Sequence, residues 1–264
     1  MSAFHFTSLA HLTDLHIRHP GETAYRRVDT AAYLRKSVDM VQGLAPRPDA
    51  VVITGNLTDF GQDEAYAHLA ELLAPLTMPF YLLPGSHDSR EAMRRGFPAH
   101  THLGDGPFIQ YAVDVGELRL IAVDSCTPGE SHGSLCQRRL RWLSDELDAC
   151  EDRPVILALH HPPFQTYVNV VDKPSLLQGA EELEALVELH PNIQRILSGH
   201  LHQAVTTLVG GAIAMTAPAP AQSMRLDSDD NRLAQWEVKP PALLVHTFPG
   251  TGRMVSHTVS SARL

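Results

Sequence analysis

With 264 residues, 44% of them hydrophobic and 19% charged, the chain can bury a sizeable core and reads as an ordinary globular protein. A formal net charge of -9 excludes the basic face that duplex nucleic acid requires, but leaves open a small anionic substrate wherever bound cations invert the local potential. Three cysteines, Cys126, Cys136 and Cys150, cannot all pair within the chain and lack Cys-x-x-Cys spacing, so they read as reduced thiols of a cytoplasmic protein.

Phe6 to Thr13 is strand-like and ends at Asp14-Leu15-His16, and Asp14 interrupts the apolar run before a signal-peptide core could form. A polar loop carrying Pro20 and Gly21 leads to a helix from about Val28. Its apolar face is Val28, Ala31, Leu34, Val38 and Val41, at spacings of three and four. Pro46 and Pro48 end that unit. Ala50 to Thr54 reads as a β-branched strand and runs into Gly55-Asn56-Leu57-Thr58-Asp59. The next helix, about Asp63 to Ala74, opens with acidic residues suited to its N-terminal dipole. Then come the strand Phe80 to Leu83 and the turn Pro84-Gly85-Ser86-His87-Asp88.

Beyond that turn the pattern changes. Ile109 to Val115 and Leu118 to Asp124 read as strands joined by a tight turn at Gly116. Cys136, Leu140, Leu143, Leu147 and Cys150 share one helical face, which assigns Cys136 and Cys150 to packing. Pro154 to Leu159 is a strand that ends at His160-His161-Pro162-Pro163. A helix near Ala180 to Leu189 precedes the strand Ile193 to Leu197, which feeds Ser198-Gly199-His200-Leu201-His202.

After His202 the helices stop. Ala204 to Val209, Ala212 to Thr216, Ala242 to Phe248 and Arg253 to Val259 read as strands, with a charged loop from Asp227 to Asn231. Their edges could pair with a second subunit, giving a homo-oligomer. Leu208 to Ala221 is apolar but too short and too broken by Gly and Pro to span a bilayer. The order βαβα, then mostly β from about residue 203, is that of one α/β domain over residues 1–264.

Metal-type side chains gather in loops that each follow a predicted strand: Asp14/His16, Asn56/Asp59, Ser86/His87/Asp88, His160/His161 and His200/His202. In an open α/β sheet the carboxyl ends of strands collect on one edge, so scattered loops can form one site. Taken singly, Asp14 could be a turn residue, and His87 and Asp88 could simply begin a helix. A His-x-His turn alone is equally weak. Placement of all five after strands is what points to a metal centre.

These motifs resemble the calcineurin-like metallophosphoesterases, and most of all the bacterial cyclic-nucleotide and glycerophosphodiester phosphodiesterases. The pattern Asp-x-His, Gly-Asp-x-x-Asp, Gly-Asn-His-Asp/Glu, His before Pro, and Gly-His-x-His runs in order from residue 6 to 202. The resemblance implies a four-layer α/β/β/α sandwich of two mixed sheets flanked by helices. It also implies a centre of two divalent ions that hydrolyses small phosphodiesters by attack of metal-bound hydroxide at phosphorus. Asp14, His16 and His202 would bind the first ion, and His160 and His200 the second, aided by positions 56 and 86. His87 would act over the phosphate as the catalytic histidine. Arg18, Tyr25 and His161 are candidates to contact substrate. Mixed nitrogen and oxygen ligands suit manganese, iron, zinc or cobalt.

Two positions depart from the pattern. The bridging aspartate is Asn56 and the usual asparagine ligand is Ser86. A neutral amide does not bridge two cations as a carboxylate does, and a serine hydroxyl is a short, poor ligand. The expectation is therefore a firm first site and a weak or empty second one. Three readings follow: a weakened phosphodiesterase, a nucleotide- or phosphate-binding relative or altered active site without catalysis, and a phosphomonoesterase of the same superfamily.

Overall fold

Alternation along the strands sets the layers. The computed structural model describes residues 6–24, 27–168, 172, 175–225 and 235–261. In chain order, β1 (Thr7–Leu12), α1 (Thr30–Gln42), β2 (Ala50–Thr54), α2 (Asp63–Leu73), β3 (Phe80–Leu83) and α3 (Arg90–Gly96) come first. The hairpin of β4 (Tyr111–Val115) and β5 (Leu118–Val123) follows, then β6 (Gly133–Ser134), α4 (Gln137–Asp148), β7 (Val155–Leu159), β8 (Leu176–Gln178), α5 (Ala180–Leu189) and β9 (Ile193–Ser198). The remainder is strand: β10 (Thr206–Val209), β11 (Ala212–Thr216), β12 (Gln222–Met224), β13 (Trp236–Val238), β14 (Ala242–Phe248) and β15 (Val255–Ser260).

One sheet has the order β15-β14-β1-β2-β3, parallel through β1, β2 and β3 and antiparallel at β14 and β15. The other runs β10-β11-β9-β7-β5-β4, parallel at its centre with antiparallel β4 and β10 on its edges. Leu118, Leu120 and Ala122 of β5, with Ile156 and Ala158 of β7, join the core shared with the first sheet. Their neighbours Ile121, Val123, Leu157 and Leu159 instead pack against Leu140, Leu143 and Leu147 of α4 and Leu183 and Val187 of α5. Period-two alternation thus divides one strand between two cores. Ala31, Leu34, Val38 and Val41 of α1 and Leu69 and Leu73 of α2 cover the outside of the first sheet. The result is the four-layer α/β/β/α sandwich. Each large aliphatic side chain buried in it contributes roughly 1.5–3 kcal/mol.

The strongest sequence patterns coincide with the structure: Ala50–Thr54, Phe80–Leu83, Ala180–Leu189, Ala212–Thr216 and Ala242–Phe248 match residue for residue. The helix expected from Val28 starts at Thr30 because Asp29 caps it, accepting the Ala32 N–H at 2.9 Å. Cys136 corrects the packing assignment. It is the residue before α4 and its thiol is exposed, while Cys150 is buried as expected. The Asp227 to Asn231 loop lies outside the described residues. Among those residues no helix is long and apolar enough to cross a membrane.

Candidate metal centre

The parallel strands deliver the candidate ligands. Asp14 and His16 follow β1, Asn56 follows β2, Ser86 follows β3, His160 follows β7, and His200 and His202 follow β9. Main-chain bonds stitch the loops together: Asp14 N–H to Gly55 O, His16 N–H to Asn56 O, and Gly199 N–H to His160 O. Among the described residues, seven non-glycine residues have positive φ, and five of them are Asp14, His16, Asn56, His200 and His202. Such backbone costs about 1–3 kcal/mol per residue and persists where the surroundings over-determine it. Gly199 and Gly85 permit the crowding. A Cβ on Gly199 would run into the Thr13 hydroxyl, and one on Gly85 into the Asn56 backbone.

Asp14, His16 and His202 converge and are all buried. His202 Nε2 lies 3.3 Å from His16 Nε2 and 3.4 Å from Asp14 Oδ1. The protons on these rings are fixed from behind. His16 donates its Nδ1–H to Asp59 Oδ1 at 3.1 Å, and His202 donates its Nδ1–H to Gln222 O at 3.2 Å. Both Nε2 atoms therefore present lone pairs to one another, with a carboxylate oxygen beside them. Three acceptors facing inward repel until a cation sits among them, and the donor set suits one. Burial drives the His202 imidazole far below its ordinary pKa and raises that of Asp14; a bound cation would reverse the shift on Asp14 and deepen the one on His202.

The second group is His160, His161 and His200. His160 donates Nδ1–H to Thr54 O at 2.7 Å, so its buried Nε2 is a lone pair without a partner. Burial holds His160 and His161 well below the ordinary imidazole pKa and brings His200 to about 4, so all are neutral, as ligands must be. His161, expected to face substrate, is instead fully buried. Its Nε2–H donates to Ser131 O at 3.2 Å and its Nδ1 accepts from the Ser125 hydroxyl at 2.8 Å.

Asn56 does not fit the bridging role. Its Oδ1 faces the His87 N–H at 3.1 Å and the Ser86 hydroxyl at 3.4 Å, and a main-chain N–H can only donate. That fixes the amide: Nδ2 must face the centre, where it donates to Asp14 Oδ1 at 3.0 Å. Position 56 thus offers the centre a hydrogen-bond donor where a bridging ligand would offer lone pairs. Ser86 spends its hydroxyl on the same amide.

Other residues hold the ring of loops. Asp88 accepts from the N–H groups of Leu57, Thr58 and Gly85 and from the Tyr66 hydroxyl, all within 3.0 Å, so it fastens the loops after β2 and β3 to α2 rather than ligating. Arg18, a candidate substrate contact, donates its Nε–H to Asp59 Oδ2 at 2.7 Å and lies over the Phe60 ring. Burial opposes a charge on Asp59, yet the hydrogen bonds from His16 and Arg18 and the Arg18 charge prevail and hold its carboxyl below the usual range. His87 donates Nδ1–H to Asp59 O at 2.9 Å, and its half-exposed ring leaves Nε2 open to solvent. Tyr25 lies outside the described residues. A cavity of about 970 Å³ beside β8 and the N-terminal ends of α4 and α5 is lined by none of the candidate ligands, so the donor chemistry and not concavity locates this centre.

A family model of calcineurin-like phosphoesterases matches residues 7–204. A probable glycerophosphodiester phosphodiesterase GpdQ of Arcobacter nitrofigilis is 31% identical over 94% of this chain and 90% of its own length. The 3',5'-cyclic adenosine monophosphate phosphodiesterase CpdA of Pseudomonas aeruginosa is 29% identical over 84% of this chain and 79% of its own. Among solved structures, a dimetal phosphatase from Danio rerio superposes with a TM-score of 0.66 at 15% identity, covering 96% of this chain and 98% of its own, a likeness of fold.

Proposed function

The chain belongs to the calcineurin-like phosphoesterase family, and on that premise we propose that it is a metal-dependent hydrolase of small phosphodiesters, of the glycerophosphodiester or cyclic-nucleotide type. One observation carries the reading: two buried imidazole nitrogens, His16 Nε2 and His202 Nε2, face each other at 3.3 Å with their protons committed elsewhere. Asp14, His16 and His202 hold the first divalent ion, and His160 and His200 belong to the second. Such ions polarise a phosphoryl oxygen and acidify water toward a pKa of roughly 7.

This chain's own residues do the rest. Asp59 keeps the His16 lone pair turned inward, and Arg18 keeps Asp59 in place and charged. His87, fixed through Nδ1, presents Nε2 to the open side, where it can hold the phosphoryl group or hand a proton to the leaving oxygen. The free cysteines fit a reducing, cytoplasmic setting.

The Asn56 amide favours a second reading, in which the chain binds a phosphate or nucleotide and turns over poorly. Hydrolysis of bis-p-nitrophenyl phosphate with added manganese or zinc separates the two, with N56D/S86N for comparison. Activity in the parent supports the hydrolase. A dead parent with an active double variant supports the binder. If both are dead, the assignment of the centre is wrong, and preference for p-nitrophenyl phosphate would make the chain a phosphomonoesterase.

A further inference from the structure

With Asn56 offering N–H groups to the centre, position 56 supplies no carboxylate to join the two halves, yet His160 still aims a buried, unpartnered Nε2 inward. One ring nitrogen from each of His160, His161 and His200 lies within 4.8 Å of the other two. The three rings also touch, with centroids 4.7, 5.2 and 5.0 Å apart. We propose that this chain builds its second cation site from three imidazoles, with His161 taking over the part that the residue at 56 cannot play. The inference rests on Asp14, His16 and His202 being the first centre.

The hydrogen bonds of His161 decide which nitrogen serves. Nε2–H is committed to Ser131 O, which leaves Nδ1 as the lone-pair nitrogen, and among the described residues its hydrogen-bond partner is the Ser125 hydroxyl. A cation on Nδ1 takes the place of that hydroxyl, so Ser125 has to turn about χ1 and give up the bond that its oxygen accepts from the His161 N–H at 3.2 Å. Gly133 packs directly on the ring, where any Cβ would collide with it, so the two hydrogen bonds and this close approach hold His161 in place. A ligand held this firmly is pre-positioned.

The donor set then dictates the metal. Three neutral nitrogens suit zinc or cobalt, whereas manganese and magnesium prefer carboxylate and carbonyl oxygen. The first centre, with a carboxylate and two imidazoles, accepts manganese as well. The two sites should therefore differ in which ions they take.

The test loads metal-free chain with excess manganese or zinc, removes loose ions, and counts metal by mass spectrometry. Zinc-edge anomalous diffraction then places each ion. The expected result is one manganese or two zinc ions per chain, with the second zinc bonded to His161. His161→Ala should lower zinc to one per chain, and Asn56→Asp should raise manganese to two. A single zinc in the unaltered chain, a second zinc not bonded to His161, or two zinc ions in His161→Ala would each overturn the proposal. The diffraction result needs no variant, so a failure of His161→Ala to fold leaves the question answerable. An ion among His160, His161 and His200 but none between His16 and His202 would overturn the first centre instead.

Discussion

Replacing Asp59 with asparagine tests whether the proton on His16 is set from behind. Asp59 now serves two donors: Oδ2 takes the Arg18 guanidinium at 2.7 Å and Oδ1 takes the His16 Nδ1–H at 3.1 Å. Asparagine has one oxygen. Arg18 can only donate, so it claims that oxygen, and the amide N–H₂ is left facing His16 Nδ1. Two donors cannot meet, so the imidazole moves its proton to Nε2, the atom that faces His202 and Asp14. The first centre loses a ligand without losing an atom from it. Disturbing the partner of a metal-ligating histidine costs about 10–100-fold in affinity, or about 1.4–2.7 kcal/mol. Calorimetric titration with manganese measures this, and nitrogen-15 spectra of the imidazoles report the tautomer directly. The geometry makes a sharper demand on the double variant. In R18A/D59N the asparagine oxygen is released to accept from His16 Nδ1, and most of the lost affinity should return. Unchanged manganese affinity in D59N, or no recovery in the double variant, would refute the reasoning.

His87→Ala should lower kcat/KM on bis-p-nitrophenyl phosphate by about 10²–10⁴-fold while the metal count stays constant, since His87 ligates nothing in this reading. A parallel loss of metal would show it to be a ligand instead. Asp88→Asn can keep its oxygen on the Leu57 and Gly85 N–H groups but then sets its N–H₂ against the Thr58 N–H, and should cost about 1–3 kcal/mol in urea unfolding. A variant as stable as the parent would remove Asp88 from its place as the fastener of the loops. Burial first, and Arg195 second, bring the His246 imidazole to about 3. Because its folded pKa lies below the unfolded value, the unfolded chain takes up the proton first, and stability falls as pH drops from about 6.5 toward 3. Between pH 7 and pH 5 that single group accounts for about 2 kcal/mol of loss. H246N should lose less than the parent by about that amount over the same interval, and equal slopes would contradict it.

How far the sequence carried depended on the range of the interaction involved. Ala50–Thr54 and Ala180–Leu189 were readable to the residue because their apolar period repeats over several turns or pleats. The pairs β6–β8 and β12–β13 span two or three residues a side, too short to show any period. Cys136 fell on the wrong side of a helix start because the spacing of apolar residues does not mark where the first turn closes. The ligand types were evident from their loops, but which neighbour claims each hydrogen bond was not. Arg18 is spent on Asp59, 41 residues away, and His161 on Ser125, 36 residues away. Positive φ at five of the candidate ligands was invisible for the same reason: Asp, Asn and His all adopt it more readily than other types, but residue type alone does not say which of them does. Bonds from the neighbouring loops decide that.

Asn56 is the position where sequence and structure together reach further than either alone. The sequence shows that the carboxylate is missing, and the structure shows what the amide does in its place. Its Nδ2 sits 3.0 Å from Asp14 Oδ1. An aspartate there would set two buried carboxylates face to face at that distance. At an effective dielectric near 20 the repulsion is about 5 kcal/mol, an upper bound because the pair would share a proton. Cations between them remove that cost, and so does the amide, by turning the contact into a hydrogen bond. The chain should therefore fold well without metal, and Asn56→Asp should make it metal-dependent. Urea unfolding in the presence of a chelator should find Asn56→Asp less stable than the parent by about 2–4 kcal/mol, with the difference erased by excess zinc. Equal stability of the two chains in chelator would mean that the amide does not substitute for a cation. The exchange of aspartate for asparagine would then have to be explained by something other than relief of charge at Asp14.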